Sequence, residues 1–445
     1  MSTIKKSRVA VIGGGFTGMT AARRLARSGN CEVTLIERGP ALGGLAGDFT
    51  MQGTSLEKTY HHLFRTDSDI RALVDELGLN DVLEWHASSM GIYYEGQVYP
   101  FMSPKDVLCF TPCSFLSRIR LGVVALYLKK TRNWRKLANQ SAYDWMRRMC
   151  GKQATDVVWG PLLRGKFHRY YDAISMAWLW ARIHYRGNSR EKSATEMLGY
   201  FRGGFSVITD KFVADLGAAN VKILKGSKVD QLRLGPEGPS LLLSGVWSQF
   251  DRCLFTGPSA ALAQLVEGLP GLEDYRRKLN SISYLGAITL VFATEQKLGE
   301  HYWLNINERD APFLVFIRHT RMVDPKHYNG KEIYYIGSYQ PHDSPLFTMP
   351  ESELRALWFD YLQRIHPQFN RDKILEEHLF RLRYAQHVVD TNYGQRVPDF
   401  RTPVPGVYLA NFSQLFPEDR GTTFSVRDGN KVANLILDDI RSAKP

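Results

Sequence analysis

The sequence lacks any long hydrophobic segment and has few cysteines, and both deficits exclude classes of protein. No uncharged apolar run approaches the ~20 residues that a helix needs to cross a bilayer. The five cysteines are scattered, and no second pair of Cys or His residues accompanies Cys109 and Cys113. We therefore predict no metal site and no disulfide framework, but reduced thiols in a cytoplasmic protein. The polar N-terminal segment runs straight into a strand, which predicts no signal peptide.

Acidic residues are scarce relative to basic ones. The chain of 445 residues has 57 Lys and Arg against 45 Asp and Glu, a formal net charge of +12. This balance favours anionic partners, although ordinary solubility explains it equally well. No P-loop, nucleophile elbow or nucleic-acid module accompanies the charge, so we expect no nucleic-acid partner. The length predicts two or three interleaved domains.

A glycine turn links the first predicted strand, residues 8–12, to a helix. Gly13, Gly15 and Gly18 have the G-x-G-x-x-G spacing, which allows a tight turn, close approach to a pyrophosphate and close helix packing. Glu37 ends the next predicted strand, where an acid hydrogen-bonds the ribose hydroxyls of an adenosine. The pattern predicts a dinucleotide site formed by Gly13, Gly15, Phe16, Thr17, Gly18 and Glu37.

A second glycine pair follows Glu37, in the order Arg38, then Gly43-Gly44-Leu45. This arrangement resembles the flavin-binding signature of the flavin amine oxidase, protoporphyrinogen oxidase and UDP-galactopyranose mutase group. Many members have an Arg directly after the glycine pair, where this chain has Leu45, and Arg38 could still supply a positive charge. The resemblance implies non-covalently bound FAD, contacted by Arg38, Gly43, Gly44 and Leu45.

The resemblance extends to two later parts of the chain. Residues 200–229 resemble the second segment of the FAD domain, in which the backbone near Val229 would meet the adenine. Residues 407–429 resemble the closing strand and the flavin-facing helix, whose N–H groups would face the flavin N1/O2 edge. The resemblance assigns further cofactor contacts to Val229, Arg420, Thr422, Thr423 and Phe424.

One departure from the group follows the closing strand. Members often have Gly-Asp there, and this chain has Asn411-Phe412. The acid that contacts the ribityl chain could instead be Glu418 or Asp419.

The segment of residues 60–67 carries two adjacent histidines, His61 and His62. It resembles the His-Ile-Phe-His-Thr stretch of UDP-galactopyranose mutases, whose first His lies beside the flavin, and His62 occupies the matching position. The ordinary pKa of histidine suits it to acid–base work near neutrality. His62 is therefore the predicted catalytic residue and His61 a predicted substrate contact. The alternative is a loop histidine bonded to backbone.

Two further segments, residues 159–168 and 178–186, combine aromatic and basic side chains. Their cations could bind a phosphate or carboxylate, or they could be the solvated ends of core helices. The predicted substrate-binding residues here are Arg164, Lys166, Arg182, His184 and Arg186.

Residues 105–136 carry eight basic side chains, one acid and many interleaved apolar residues. Such a segment could lie on an anionic membrane surface. A surface helix packed on its own domain explains the pattern equally well.

Together these patterns predict an α/β protein with a three-layer, Rossmann-like FAD domain built from residues 1–60, 200–280 and 400–445. An α+β substrate domain would combine a helical, basic and aromatic part, 61–199, with an antiparallel sheet, 281–399. The leading functional hypothesis is hydride transfer between a substrate C–H and flavin N5, on an anionic or amphipathic small molecule. The alternatives are a redox-neutral isomerase, mutase or epimerase of a nucleotide- or lipid-linked sugar, and a non-catalytic flavin-binding sensor or scaffold.

Overall fold

The computed structural model describes residues 6–189 and 196–443. Its strands are β1 (Ser7–Ile12), β2 (Cys31–Ile36), β3 (Asp48–Met51), β4 (Thr54–Glu57), β5 (Leu63–Phe64), β6 (Leu83–Ala87), β7 (Met90–Tyr94), β8 (Gln97–Pro100), β9 (Met197–Phe201), β10 (Lys222–Leu224), β11 (Val229–Gly235), β12 (Gly238–Leu243), β13 (Val246–Gln249), β14 (Arg252–Phe255), β15 (Tyr284–Thr294), β16 (Trp303–Ile306), β17 (Val315–Arg318), β18 (Glu332–Gln340), β19 (Ile374–His387) and β20 (Val407–Leu409). Its helices are α1 (Phe16–Arg27), α2 (Ser68–Glu76), α3 (Pro104–Cys109), α4 (Phe115–Lys130), α5 (Ala142–Cys150), α6 (Lys152–Ala154), α7 (Gly160–Phe167), α8 (Met176–Ser189), α9 (Ser206–Ala218), α10 (Ser259–Leu265), α11 (Glu273–Asn280), α12 (Pro345–Thr348), α13 (Glu351–Ile365) and α14 (Thr422–Ser442).

A five-stranded parallel sheet forms the first layer of the fold, in the order β10-β2-β1-β14-β20. Its strands come from three separated parts of the chain, and Val9, Ala10 and Val11 at its centre are fully buried. Apolar runs of this kind are typical of parallel strands that are covered on both faces. Helices α1 and α14 pack together in contact with the sheet. The arrangement confirms the predicted α/β, Rossmann-like fold class.

A seven-stranded sheet forms the second part of the fold, in the order β19-β15-β18-β17-β16-β7-β8. Its pairs are antiparallel except for β16 and β7, which are parallel. Strands β7 and β8 come from the part of the chain that the sequence predicted to be helical. They form a hairpin whose turn residues, Glu95 and Gly96, have φ values of 50° and 75°. A two-residue turn with positive φ at both positions is typical of tight β-hairpins.

Residues 104–130 do not form one continuous helix but two, α3 and α4. Pro112 lies between them, and it has no N–H for a helical hydrogen bond and disfavours helical backbone at Thr111. Ser103 and Ser114 cap the two new N-termini by accepting hydrogen bonds from Asp106 N and Ser117 N. Among the described residues, no helix is both long enough and apolar enough to cross a membrane.

Candidate active site

The glycine turn between β1 and α1 has one glycine that the protein's own packing does not require. Gly13 has φ +113°, and a Cβ there would lie 2.3 Å from Thr256 Oγ1. A Cβ on Gly18 would lie 1.9 Å from the Gly13 carbonyl oxygen. A Cβ on Gly15 would meet nothing closer than Gly44 Cα at 3.7 Å, so the space above Gly15 is open. Open space at this position suits the pyrophosphate of a dinucleotide.

Glu37 holds the loops on the ribose side of the turn. One carboxylate oxygen accepts the Gly14 N–H at 2.7 Å and the other accepts the Gly39 N–H at 2.6 Å. The Ser227 N–H donates to the Glu37 carbonyl at 2.8 Å, which places the start of β11, and with it Val229, next to this turn. Arg38 is exposed, so its guanidinium is free to approach a phosphate. The predicted adenosine contacts therefore lie together.

Two helix N-termini in this part of the fold have no side-chain cap. Gly15 is the N-cap of α1 and Gly421 is the N-cap of α14, and neither offers a capping side chain. Their first-turn N–H groups are therefore available to phosphate or to a developing anion. With the open space at Gly15, these two termini fit the charge and shape of FAD.

Some predicted cofactor contacts are limited to the backbone. The Phe16 ring packs in the core against Phe212, with 6.3 Å between ring centroids. The Thr423 hydroxyl accepts the N–H groups of Asp69 and Ile70 at 3.2 and 3.3 Å, so its side chain caps α2. Phe16 and Thr423 can therefore contact a cofactor through their backbone N–H groups, and not through their side chains.

A cavity of about 1270 Å³ lies between the α14 N-terminus and the seven-stranded sheet. One wall is formed by Leu45, residues 59–62 and residues 419–424. Further lining residues come from strands β7, β15, β16, β18 and β19 and from helices α3, α4, α7 and α8. A large concave site at the junction of two structural units is the usual location of an active site.

His61 and His62 both line this cavity, although adjacent residues of an extended segment usually point to opposite sides. His61 Nδ1 lies 2.7 Å from the Thr59 carbonyl oxygen, so the imidazole of His61 contacts the backbone. His62 Nδ1 lies 3.1 Å from the Tyr302 hydroxyl, and its ring packs edge-on against Phe64. The backbone-bonded description therefore fits His61, whereas His62 is held by another side chain.

Burial keeps both imidazoles neutral. It lowers the pKa of His62 to about 3, with a smaller effect from the Arg186 charge, and the pKa of His61 to about 4. Near neutrality His62 can therefore donate or accept a hydrogen bond, but it does not gain a proton in the free protein. This differs from the acid–base role expected from the ordinary pKa of histidine.

A second titratable group of the cavity is Lys166 on α7. Its Nζ donates to Asp419 Oδ2 at 2.9 Å, and Arg182 donates to the same oxygen. Burial lowers the pKa of Lys166 to about 7, although Asp419 acts in the opposite direction. Burial disfavours an ionised Asp419, but Lys166, Arg182 and Arg420 outweigh it and hold its pKa well below the ordinary range.

Asp419 lies in the cavity wall and pairs with Lys166 and Arg182, contacts that the sequence did not indicate. Its Oδ1 is buried without a hydrogen-bond partner among the described residues, and the side chain is part of the cavity lining. Glu418, the other acid considered for the ribityl chain, pairs with Arg427 at 3.2 Å. Asn411 is buried and its amide donates to the Gly257 carbonyl at 2.7 Å. Asp419 is thus the acid with an oxygen left for a ligand.

The predicted basic cluster divides between the cavity and its surroundings. Lys166, Arg182 and Arg186 are among the lining residues, whereas Arg164 and His184 are not. Positions 182 and 186 are four apart and share a face of α8, while position 184 lies on the opposite side. Residues 164 and 166 of α7 are two positions apart, so their side chains also lie on different faces of their helix. Arg164 instead lies over the rings of Tyr143 and Tyr171, and His184 stacks on Trp180.

Solved structures share this fold over nearly the whole chain. The reduced form of UDP-galactopyranose mutase aligns with a TM-score of 0.76 at 14% identity, covering 97% of this chain and 96% of that one. Putrescine oxidase bound to putrescine aligns with a TM-score of 0.73 at 15% identity, covering 98% and 99%. At these identities the likeness concerns the fold.

Sequence comparison leads to the family. Coproporphyrinogen III oxidase of Bacillus subtilis (strain 168) is 23% identical over 310 residues, which are 61% of this chain and 64% of that protein. The chain thus spans less than two thirds of that relative. The model of the family described as flavin containing amine oxidoreductase matches residues 16–413, most of the chain. This match agrees with the open glycine turn, which fits a dinucleotide, and with the resemblance of the glycine motifs. The chain belongs to the flavin-containing amine oxidoreductase family.

Proposed function

We propose that the protein binds FAD non-covalently and transfers hydride between a substrate C–H and flavin N5. The observation that carries the proposal is the position of the 1270 Å³ cavity, which is lined by the uncapped N-terminus of α14 and by the cluster around Asp419. The family is flavin-containing, and a relative named coproporphyrinogen III oxidase supports net oxidation. FAD, when bound, supplies the hydride acceptor.

The chain's own residues provide positioning and proton handling. The first-turn N–H groups of α14 stabilise negative charge that builds up beside them. Lys166, with a pKa near 7, can hold or release a proton at Nζ, and Asp419 fixes the position of that ammonium group. His62 remains neutral and orients a substrate through hydrogen bonding, with Tyr302 fixing its ring.

The charges around the cavity favour an anionic or amphipathic substrate. Lys166, Arg182 and Arg420 surround one carboxylate, that of Asp419, which leaves a surplus of positive charge. Arg420 also donates to the Tyr339 hydroxyl, which holds its guanidinium on the cavity wall. A phosphate or carboxylate on the substrate would offset this surplus.

A redox-neutral reaction on a nucleotide- or lipid-linked sugar is the second candidate. The match of the whole fold to reduced UDP-galactopyranose mutase and the His62 segment favour it. The charge surplus suits a sugar diphosphate as well as a carboxylate. The two candidates differ in whether the flavin changes its oxidation state over a complete reaction.

Anaerobic mixing of the purified flavoprotein with candidate substrates tests the proposal. Bleaching of the flavin absorbance by a substrate is expected for hydride transfer to N5. Turnover that occurs only after prior reduction, without net change of the spectrum, would instead assign the redox-neutral reaction. A flavoprotein that does neither with any anionic or amphipathic candidate would contradict both.

A further inference from the structure

Helix α4 presents apolar side chains to the outside as well as to the core. Its inner face packs through Leu121, Val124 and Leu128, which are at most 5% exposed. Its outer face carries Phe115 and Leu116, whose exposed fractions are 68% and 69%. Ile119, Val123, Leu126 and Tyr127 are also exposed on this helix. Six exposed apolar side chains on one helix indicate a binding surface, because a helix packed only on its own domain has a polar outer face.

Basic side chains lie beside this apolar face, most of them at its C-terminal end. Arg120, Lys130, Arg132, Arg135 and Lys136 are all exposed on α4 or directly after it. Across residues 105–136 the only acid is Asp106, and its carboxylate is engaged by the N–H groups of Met102 and Ser103. This concentration of like charge opposes the docking of a second copy of the chain, whereas it attracts an anionic lipid surface.

The apolar face is continuous with the active-site cavity. Leu108 of α3 and Ile119, Val123 and Leu126 of α4 are 40–60% exposed, and the same four side chains line the cavity. The inner end of that cavity carries Lys166 and the cations around Asp419. The cavity therefore has an apolar opening at α3 and α4 and a cationic inner end.

From this continuity we propose that the α3–α4 face lies on an anionic membrane and that the substrate is a lipid-soluble amphipath taken from it. The substrate would pass between Leu108 and Val123 with its anionic group leading toward Lys166, Arg182 and Arg420. Its apolar part would remain along α4. This inference rests on the proposed function, since it names the substrate class and the source for the same site.

Vesicle sedimentation tests the membrane contact without any assay of turnover. The FAD-loaded protein is mixed at low salt with vesicles of phosphatidylcholine containing phosphatidylglycerol, and with phosphatidylcholine alone. We expect sedimentation with the anionic vesicles, and a loss of about tenfold in affinity in the double variant Phe115→Ser/Leu116→Ser, neither of which lines the cavity. Lys130→Gln/Arg132→Gln should weaken binding similarly and make it less sensitive to salt.

The controls are exposed residues of the same type elsewhere on the surface. Val246→Ser/Leu375→Ser matches the apolar pair, with exposed fractions of 66% and 51%, and Lys222→Gln/Lys225→Gln matches the basic pair. Neither should change vesicle binding. Equal sedimentation of all variants, or equal binding to neutral and anionic vesicles, would overturn the proposal. A dimer that Phe115→Ser/Leu116→Ser abolishes, without vesicle binding, would assign the face to a second copy and overturn it too.

A glycine on α4 allows the passage itself to be tested. Gly122 lines the cavity, and a Cβ there would meet no atom within 4 Å, so Gly122→Trp can fill the opening without a clash at Cβ. The probe is the fluorescent anionic amphipath 11-(dansylamino)undecanoic acid. We expect Gly122→Trp to weaken or slow its binding at least about tenfold while vesicle binding persists. Gly217→Trp, at an equally open helical glycine outside the cavity, is the control.

Binding of the probe that Gly122→Trp leaves unchanged would show that the opening is elsewhere, and would overturn the proposed passage. These readouts are independent of catalysis. A protein that fails the anaerobic mixing experiment but passes both binding tests would contradict the proposed reaction and leave the membrane surface supported.

Discussion

At the scale of single residues, His62 is the side chain whose proposed role is most easily separated from folding. Replacing it with Asn removes the imidazole from the cavity and breaks the 3.1 Å contact with Tyr302. We expect the rate of flavin reduction to fall about 10²-fold, because the substrate loses a hydrogen bond that orients it toward the flavin. FAD content and the thermal midpoint should remain close to those of the parent, which spectroscopy and thermal unfolding will measure.

The control for His62→Asn is a histidine outside the cavity. His61 lines the same cavity, so it is not a clean comparison, whereas His184 stacks on Trp180 away from it. His184→Asn should leave flavin reduction unchanged. Normal reduction by His62→Asn would exclude a chemical role for His62, and loss of FAD or unfolding in that variant would make its role structural.

Glu57, at the end of β4, gives the protein a predictable dependence of stability on pH. Its carboxylate is 1% exposed, accepts hydrogen bonds from the Tyr200 hydroxyl and the Phe205 N–H, and has a pKa that burial raises to about 7. The folded state therefore favours the protonated carboxyl. Its contribution to the free energy of unfolding is complete below the ordinary pKa near 4.5 and is lost as the pH rises toward 7.

The variant Glu57→Gln removes this dependence because the amide stays neutral and keeps an acceptor for Tyr200 and Phe205. Relative to the parent, we expect Glu57→Gln to gain stability between pH 5 and pH 8, measured by denaturant unfolding at both values. A difference between variant and parent that is the same at both pH values would show that Glu57 does not titrate in this range.

At the scale of elements, the turn between β1 and α1 separates glycines needed for packing from the glycine needed for a ligand. Gly15→Ala has a compatible backbone, since Gly15 has φ −76°, and the added Cβ would meet no atom closer than 3.7 Å. The free energy of unfolding of the FAD-free variant should therefore stay within about 0.5 kcal/mol of that of the parent. Its affinity for FAD should fall, because the methyl group occupies the pyrophosphate position.

Gly18→Ala should behave in the opposite way. Its Cβ would lie 1.9 Å from a backbone oxygen, and we expect a loss of about 1–3 kcal/mol in the free energy of unfolding. FAD titration and denaturant unfolding of both variants measure the contrast. Equal FAD affinity of Gly15→Ala and the parent would mean that no pyrophosphate lies over Gly15.

The elements that the sequence predicted are those with strong local signals. Strands β1 and β2 are apolar runs on either side of the glycine turn and helix α1, so both were predicted closely. The pair β7 and β8 was missed because its short alternating runs lie among helices. Only the pairing with β16, which is more than 200 residues away in sequence, makes them part of a sheet.

At the scale of the whole molecule, the cofactor side of the site could be predicted and the substrate side only in part. The glycine turn, Glu37 and the start of α14 are local motifs; Glu37 accepts the Gly14 N–H of the turn, and α14 packs against α1. The cluster of Lys166 with Asp419 joins residues 253 apart in sequence, and neither has a motif that predicts the contact. The lowered pKa values of His62 and Lys166 follow from burial, which depends on the packing of both structural units.

The identity and amount of the bound cofactor test the central claim of this account most directly. The purified protein should be yellow, and denaturation should release FAD, at about one molecule per chain after incubation with excess cofactor. Chromatography of the released flavin distinguishes FAD from FMN, which lacks the adenosine that Glu37 is predicted to bind. A folded, colourless protein that takes up no FAD, or one that releases FMN, would contradict the account.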